Sequence, residues 1–336
     1  MEQSKNMLEI NDLYVEYRTQ GDVVKAVNGL DLQIKEGKAL GLVGETGAGK
    51  TTTGLAILGL VPDPPGVITQ GSILLHGENL LEKNEKYMRS VRGKQVSMIF
   101  QDPMTSLNPV LPVLEQIAEV IRTHYPELSH KEADQRAGDM LELVGIPRER
   151  GGEYPHQFSG GMKQRVVIAI ALACQPDVLI ADEPTTALDV TIQAQVLEMM
   201  KELKDKYGTS MLMITHDLGI VADICDEVSV IYAGRIVEHG TLEDVFDHTK
   251  HPYTQGLFNS LPNMNDRTAR LKPIKGLMPD PSNLPEGCAF CPRCDYATER
   301  CAKEKPSRVW ANDTHYVECH LYNQDNVQGE EVLNHE

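Results

Sequence analysis

The chain has 336 residues, a formal net charge of −17 at pH 7, and a composition of 41% hydrophobic and 24% charged residues. This length accommodates one large domain and a smaller one, and the composition is ordinary for a globular protein. The negative charge argues against nucleic acid as the main partner, because phosphate backbones attract a basic surface. No apolar run approaches the roughly 18 residues that span a bilayer, and the N-terminal MEQSKNMLEI lacks a signal-peptide core. We therefore expect a soluble, cytoplasmic chain that reaches a membrane only through a partner.

The first elements of the chain predict two kinds of strand. Residues 7–36 alternate apolar and polar side chains, which is typical of antiparallel strands. KALGLVG (38–44) predicts a buried strand that enters a glycine-rich loop, and KTTTGLAILGL (50–60) predicts a helix after it. Three further short apolar runs are typical of buried parallel strands: QVSMIF (95–100), DVLIAD (177–182) and SMLMIT (210–215). The pattern indicates an α/β fold.

A helix-rich insert separates the first two of these three runs. Ser129–Glu132 (SHKE) fits a capping box at the start of a helix. Apolar residues then recur at helical spacing before Gly145: Ala133, Ala137, Met140, Leu141 and Val144. After about Leu261, proline and asparagine become frequent and regular periodicity fades, so we expect an appendage there.

GETGAGKT (Gly44–Thr51) fits the P-loop pattern GxxxxGK[ST] and lies between a predicted strand and a predicted helix. In such a loop, backbone N–H groups and the helix N-terminus surround phosphates. Lys50 is the candidate for the β- and γ-phosphates of a nucleotide, and the Thr51 hydroxyl is the candidate for Mg²⁺. The other ATP-binding candidates in this segment are Gly44, Glu45, Thr46, Gly47, Ala48, Gly49 and Thr52. A glycine-rich turn that binds nothing is the alternative, and the strand–loop–helix context disfavours it.

A second phosphate-site element is DVLIADEP (Asp177–Pro184), an apolar strand that ends in two acids. We expect Asp182 to lie near Mg²⁺ and Glu183 to orient or deprotonate the attacking water. An Asp-Glu pair alone is more often a solvated strand end, but the P-loop upstream favours the catalytic interpretation.

FSGGMKQR (Phe158–Arg165) stands between these two elements, and with it the chain resembles the ATP-binding cassette (ABC) family over roughly residues 7–260. The resemblance implies that Tyr17 stacks on adenine, although a core tyrosine on a strand is the alternative for this residue. It also implies that Gln101 of MIFQDP contacts Mg²⁺ and the attacking water, and that His216 of MITHD contacts the γ-phosphate. The implied catalytic residues are Glu183, His216, Lys50 and Gln101.

The same resemblance implies that two cassettes close head to tail around ATP. The signature residues would bind the γ-phosphate of ATP held by the opposite subunit: Ser159, Gly160, Gly161 and Met162. ALD (Ala187–Asp189) matches the D-loop, with Asp189 as its acid. The implied fold is an α/β P-loop NTPase of ABC type, with a RecA-like core, an antiparallel β subdomain and an inserted helical subdomain at about 102–172. A small C-terminal cysteine-rich extension at 261–336 would follow the nucleotide-binding domain at 1–260.

Longer stretches, including HPYTQGL (His251–Leu257), resemble the oligopeptide/dipeptide and nickel-peptide importer ATPases, longer type. The resemblance implies a subunit that hydrolyses ATP to power peptide import. Its implied partners are a second, paralogous ATPase, two transmembrane permeases and, indirectly, an external solute-binding protein. It would be a peripheral protein at the cytoplasmic face of the cell membrane. Tyr154, Pro155 and His156 would face the permeases, with simple packing against the signature helix as the alternative.

A soluble ABC ATPase, for example one acting in iron–sulfur cluster assembly, is the alternative function. It fits a single cassette, but it does not predict HPYT or the cysteine-bearing tail. Co-purification with permeases or with a soluble scaffold separates the two interpretations.

Five of the seven cysteines lie in the tail: Cys288, Cys291, Cys294, Cys301 and Cys319. The spacing fits zinc and fits a 4Fe–4S cluster, and spacing alone does not choose between them. The importer resemblance implies a cluster held by Cys288, Cys294, Cys301 and Cys319, with Cys291 outside the family pattern as a possible alternative ligand. Arg293 would offset the cluster's charge or lie at the surface. The tail cysteines would mainly hold a core-poor segment together, since metal binding supplies folding energy, with a redox-sensing role as the alternative. Cys174 and Cys225 are expected to be buried and inert.

Overall fold

The computed structural model describes residues 5–186, 188–260 and 273–323. Its strands are β1 (Asn6–Arg18), β2 (Val23–Lys35), β3 (Ala39–Val43), β4 (Gly66–Leu75), β5 (Glu78–Asn79), β6 (Val96–Ile99), β7 (Val178–Asp182), β8 (Ser210–Thr215), β9 (Glu227–Tyr232), β10 (Arg235–Thr241), β11 (Arg308–Trp310) and β12 (Tyr316–Glu318). Its α-helices are α1 (Lys50–Ile57), α2 (Glu85–Val91), α3 (Pro103–Ser106), α4 (Val113–His124), α5 (His130–Leu143), α6 (Gly160–Leu172), α7 (Val190–Tyr207), α8 (Leu218–Ile224), α9 (Leu242–Phe246), α10 (Pro252–Asn259) and α11 (Glu299–Lys303).

A four-stranded antiparallel sheet forms the N-terminal layer, in the order β2-β1-β4-β5. The alternating pattern of residues 7–36 therefore gives the predicted antiparallel strands, and β1 pairs with both β2 and β4. Leu8, Ile10, Leu13 and Val15 of β1 are fully buried, while Glu9, Asn11, Asp12 and Tyr14 between them are more exposed. One face of this sheet thus contributes to the core, as the period-two pattern indicates.

The second sheet has eight strands, in the order β11-β12-β10-β9-β3-β8-β7-β6. β3 lies inside this sheet with parallel neighbours, β8 on one side and β9 on the other. β6, β7 and β8 also pair in parallel, as their continuous apolar runs predict. Because parallel strands end at one edge of the sheet, the loops after β3, β6, β7 and β8 lie side by side there. These are the loops in which the sequence places its candidate catalytic residues.

The predicted helical insert is present between β6 and β7 and contains α3 to α6. The Ser129–Glu132 capping box at the start of α5 is confirmed, since Ser129 Oγ accepts from Glu132 N and Glu132 Oε2 accepts from Ser129 N. The five apolar positions predicted for this helix all reach the core: Ala133, Ala137, Met140, Leu141 and Val144.

The C-terminal extension continues the core sheet. β12 pairs with β10 through Glu238↔Val317 and His239↔Tyr316, and β11 pairs with β12. The fully buried Glu238 carboxylate anchors this join, because it accepts hydrogen bonds from the backbone N–H groups of Lys250 and His251 and contacts His315 Nε2 at 2.9 Å. Strands of three residues are too short to produce a readable alternation, which is why the sequence predicts only an appendage. Residues 261–272, where the predicted extension begins, lie outside the described part of the chain.

Within the described ranges, no helix combines the length and apolar character needed to cross a lipid bilayer.

Where the extension joins the core sheet, a buried histidine is expected to make the stability of the fold sensitive to acid. His239 packs against Tyr316 at 5.2 Å between ring centroids and contacts Ser229 Oγ at 2.9 Å. Burial lowers the pKa of His239 to about 4, helped by Lys35, Arg308 and His315 and opposed by Glu227. The unfolded chain therefore binds this proton more readily than the folded chain, and stability falls as the pH drops from about 6.5 towards 4.

We expect this histidine to remove about 1 kcal/mol of unfolding free energy between pH 7.5 and 5.5. His239→Asn should lose that share of the pH dependence, because Asn does not titrate there. Urea unfolding at the two pH values measures the difference. His248→Asn, at an exposed histidine, is the matched control, and an equal acid loss in the His239→Asn and wild-type proteins would contradict the prediction.

Candidate functional site

The P-loop follows β3 and requires glycine at several points. Gly47 and Gly49 have φ values of 83° and 102°, in the left-handed region that favours glycine. A Cβ atom at Gly44 would lie 2.3 Å from the Ile231 carbonyl oxygen, and one at Gly49 would lie 2.4 Å from the Ala26 carbonyl oxygen. The loop can therefore pass close to the backbone at Ile231 and Ala26 only because Gly44 and Gly49 have no side chains. It ends at the N-terminus of α1, where free N–H groups favour an anion.

Lys50, the first residue of α1, lies over this loop. Its Nζ donates to the carbonyl oxygens of Gly44 at 2.6 Å and Glu45 at 3.0 Å. Burial lowers the pKa of Lys50, while the carboxylates of Glu183, Asp182 and Glu45 oppose that shift. A cation is thus held at the phosphate-binding loop among three acids.

Asp182 ends β7 and is 2% exposed. Burial raises its pKa, and a hydrogen bond with the Thr51 side chain and the charge of Lys50 counter the rise. The structure therefore brings together Thr51 and Asp182, the hydroxyl and carboxylate that the sequence assigns to Mg²⁺. Oxygen donors of this kind are those that Mg²⁺ prefers.

Glu183 is the centre of a polar cluster contributed by three strand ends. Its Oε2 accepts from Gln101 Nε2 at 2.9 Å and from Thr186 Oγ1 at 3.1 Å, and its Oε1 contacts His216 Nδ1 at 2.8 Å. Burial raises its pKa, but His216, Thr186 and Lys50 outweigh this and the net pKa is lowered. Its backbone has a φ of 46°, a strained conformation for a residue other than glycine. An ionised carboxylate in a fixed position can accept a proton from water.

These elements surround one cavity of about 260 Å³. The residues that line it are Ala26, Thr46, Gly47, Gly49, Lys50, Thr51, Thr52, Gln101, Glu183 and His216. Tyr17 lies at its margin, where its hydroxyl is 3.4 Å from Thr52 Oγ1. The structure thus gathers candidates that are up to about 200 residues apart in the sequence, which is the expected behaviour of parallel strand ends.

The signature residues lie elsewhere. Ser159 caps α6 by accepting from Met162 N, and both Ser159 and Gly160 are exposed. Among the described residues that line the P-loop cavity, none belongs to the Ser159–Met162 segment. Asp189 caps α7 at the surface, and Ala187 of the predicted D-loop lies outside the described residues.

The five tail cysteines line one cavity, together with His251, His320 and Tyr296. Burial raises the pKa of Cys288 to about 11 and that of Cys319 to about 12, so these thiols stay protonated at neutral pH without a bound cation. In the described ranges, no group of three or more His, Cys, Asp or Glu side chains meets the requirements for holding a metal ion. Neither zinc nor an iron–sulfur cluster is therefore supported by a formed metal site.

The other two cysteines, Cys174 and Cys225, are buried as predicted and do not line the cysteine cavity. Burial raises the pKa of Cys174 to about 11 and that of Cys225 to about 12, so both thiols are unreactive.

Sequence reasoning assigned no role at the P-loop to two residues that support it. The Tyr253 hydroxyl accepts from Glu45 N at 3.0 Å, and both Arg293 Nη atoms donate to the Glu45 carboxylate. The Arg293 side chain is only 6% exposed, so its placement at the surface is wrong. The HPYT motif, which carries the resemblance to the importer ATPases, contains Tyr253 and was a usable signal for it. No pattern in the sequence pairs Arg293 with Glu45.

Thr186, which bonds Glu183, was also missed. Its position three residues after the acid is the local signal that could have identified it.

Comparison with known families gives two matches. Residues 27–186 match the ABC transporter family, and residues 237–301 match the C-terminal region of oligopeptide/dipeptide transporters.

The chain is also similar to characterised proteins over almost its full length. It is 49% identical to the oligopeptide transport ATP-binding protein OppD of Bacillus subtilis, covering 95% of this chain and 90% of the relative. It is 47% identical to the dipeptide transport ATP-binding protein DppD of Bacillus subtilis, covering 95% of this chain and 96% of the relative. It is 47% identical to OppD of Haemophilus influenzae, covering 88% and 91%.

Two solved structures share the fold. One is the dimeric ATP-binding cassette MJ0796 in a post-hydrolysis state bound to ADP and Pi, with a TM-score of 0.63, 25% identity, and coverage of 70% of this chain and 99% of that chain. The other is CbiO1 of Clostridium perfringens, part of the ABC transporter complex CbiONQ, with a TM-score of 0.62, 27% identity, and coverage of 72% and 91%.

Proposed function

Because the chain belongs to the oligopeptide/dipeptide transport ATP-binding proteins of the ABC transporter family, we propose that it hydrolyses ATP to power the import of di- or oligopeptides. The observation that carries this proposal is the Glu183 cluster at the P-loop cavity. A carboxylate, a lysine and a histidine face one anion-binding loop, and the relatives that match along the whole chain are peptide-transport ATPases. A soluble ABC ATPase is not favoured, because the C-terminal transporter match and these relatives point to import.

In this proposal the P-loop cavity holds the ATP phosphates. The backbone N–H groups of the loop and Lys50 bind the β- and γ-phosphates, and Tyr17 stacks on adenine at the margin of the cavity. Thr51, Asp182 and Gln101 would hold Mg²⁺, which neutralises phosphate charge when bound. The contacts of Asp182 with Thr51 and of Gln101 with Glu183 support this assignment.

Glu183 acts as the proton acceptor for the attacking water. Its lowered pKa keeps it ionised at neutral pH, and Gln101 and Thr186 hold one of its oxygens in place. His216 contacts the other oxygen, and its imidazole lines the cavity in which the γ-phosphate would lie. Three of these residues come from separate strand ends, so the site is rigid before substrate binds.

A second ATPase completes the site. Ser159 and Gly160 are exposed at the N-terminus of α6, and the Ser159–Met162 segment does not line the P-loop cavity of its own chain, so it is available to the ATP of a partner. We propose a paralogous ATPase as that partner, with Asp189 at the interface between them. The dimeric structure of the similar cassette MJ0796 supports the association of two cassettes.

The permease subunits would bind the helical insert from the cytoplasmic face of the membrane. Tyr154 is 39% exposed and stacks with His156 at 5.8 Å between ring centroids, and Val110 nearby in the insert is 73% exposed. Tyr154 and His156 immediately precede the signature helix α6, so movement of a bound permease element would be passed to the signature residues.

The cysteine cavity would hold a 4Fe–4S cluster on Cys288, Cys294, Cys301 and Cys319. Five thiols line this one cavity, and thiolates from closely placed cysteines are the ligands that such a cluster takes. Bound iron would ionise thiols whose pKa is raised by burial. The cluster would fix a segment with little regular structure, which accords with a structural role. The protein would be divided into the nucleotide-binding domain at 1–260 and this extension at 261–336.

The transport assignment predicts stoichiometric association with membrane subunits. When the chain is produced with its permeases and partner ATPase, we expect the subunits to co-purify and peptide-loaded solute-binding protein to stimulate ATP hydrolysis in proteoliposomes. Pull-down stoichiometry and phosphate release measure both. Recovery with a soluble scaffold and without permeases would refute the assignment.

Glu183→Gln should lower ATP turnover at this site by about 100-fold or more, because an amide does not accept the proton of water. ATP binding should persist. The equivalent glutamate of the partner ATPase is replaced in all samples, so that only this site turns over. Glu198→Gln, an exposed glutamate of α7, is the matched control. Undiminished turnover in the Glu183→Gln protein would contradict the assigned base.

Anaerobic purification should yield iron and acid-labile sulfide with a visible absorption band. Cys294→Ser should lose the cluster, whereas Cys291→Ser should keep it because Cys291 is the spare thiol. Metal analysis and absorption spectra of the two variants provide the comparison. Stoichiometric zinc without iron or sulfide would refute the cluster.

A further inference from the structure

Arg293 lies in the cysteine-rich extension, but its guanidinium binds the P-loop. Nη1 donates to Glu45 Oε2 at 2.8 Å, and Nη2 donates to Glu45 Oε1 at 3.0 Å. Nε donates to the Lys275 carbonyl oxygen at 2.9 Å, which fixes the plane of the group. The Arg293 side chain is 6% exposed and that of Glu45 is 29% exposed. A bidentate, largely buried pair of this kind is much stronger and more directional than a surface ion pair.

Glu45 is the second residue of the P-loop, so its charge acts directly on the nucleotide site. Its carbonyl oxygen accepts from Lys50 Nζ at 3.0 Å, and its carboxylate is among the acids that raise the pKa of Lys50. Without a partner, this carboxylate would repel the phosphates of ATP and compete with them for Lys50. The guanidinium of Arg293 balances that charge through its two contacts with the Glu45 carboxylate.

The extension also contacts the loop sterically. A Cβ atom at Gly47 would lie 3.1 Å from Met278 Cε, so Met278 packs against the turn of the loop. The Tyr232 hydroxyl lies 3.3 Å from Arg293 Nη1 and joins the pair to the core. Two residues of the extension, Met278 and Arg293, therefore touch two successive parts of the P-loop.

We propose that Arg293 is a positioning residue of the nucleotide site: by neutralising and orienting Glu45, it keeps the P-loop and Lys50 set for the phosphates of ATP. The C-terminal extension is then a part of the ATP site. Arg293 stands between Cys291 and Cys294, whose thiols line the cysteine cavity, so the fold of the cysteine turn determines the position of the guanidinium. The inference rests on the proposed binding of ATP at the P-loop.

ATP affinity of the full chain, measured with a fluorescent ATP analogue and Mg²⁺, tests the proposal. Arg293→Gln should weaken ATP binding by about tenfold or more, because it leaves the Glu45 carboxylate unpaired beside the phosphates. Arg293→Lys should recover part of the affinity, since it retains the charge without the bidentate geometry. The double variant Glu45→Gln/Arg293→Gln should bind ATP at least about threefold more tightly than Arg293→Gln alone, because the unpaired charge is gone.

The rescue separates positioning from simple loss of structure. If Arg293→Gln weakened binding only by loosening the extension, adding Glu45→Gln would not restore affinity, and that result would overturn the proposal. Wild-type affinity in Arg293→Gln would overturn it as well, while leaving the proposed ATPase function in place. A wild-type chain that binds no ATP would refute the proposed function itself. Arg300→Gln, at an arginine of the same extension that pairs with Glu304, is the matched control and should leave affinity unchanged.

Discussion

The buried strand β3 has parallel neighbours on both sides, and the nucleotide site depends on this arrangement. Parallel pairing with β8, and of β8 with β7 and β7 with β6, places four strand ends at one edge of the sheet. The loops at that edge supply Lys50, Gln101, Glu183 and His216, which would otherwise be scattered along the chain. Each strand is fully buried, so a shift of any one of them would expose apolar side chains and move a catalytic candidate at the same time.

Charge balance is the second condition that the site satisfies. Lys50 lies among three carboxylates, and each of these has its own partner: Asp182 contacts Thr51, Glu183 contacts His216, and Glu45 contacts Arg293. The Lys50 ammonium group is therefore not fully neutralised by any one acid and can bind the phosphates of ATP. Carboxylates that pair with other groups can lie close to a phosphate site without forming a tight ion pair with the lysine of that site.

The C-terminal extension is integrated at two distant points. At one, β12 extends the core sheet beside β10, with the buried Glu238 carboxylate satisfied by backbone N–H groups and by His315. At the other point, Arg293 and Met278 contact the P-loop. The cysteine cavity adjoins both attachments, because Cys291 and Cys294 flank Arg293 and Cys319 directly follows β12. A ligand that orders this segment would therefore stabilise both the sheet and the nucleotide loop, since folding and binding are linked.

The sequence by itself determined the α/β class, the P-loop, the acidic strand end and the helical insert, because each is encoded locally by periodicity, glycine spacing or a cap such as Ser129. It did not determine that Arg293 pairs with Glu45 or that Thr186 holds Glu183. It also gave no sign of β11 and β12, whose three residues each are too few for a period. Only the tertiary structure decided these contacts, because they join side chains across strands and loops, where spacing along the chain carries no information about distance in space.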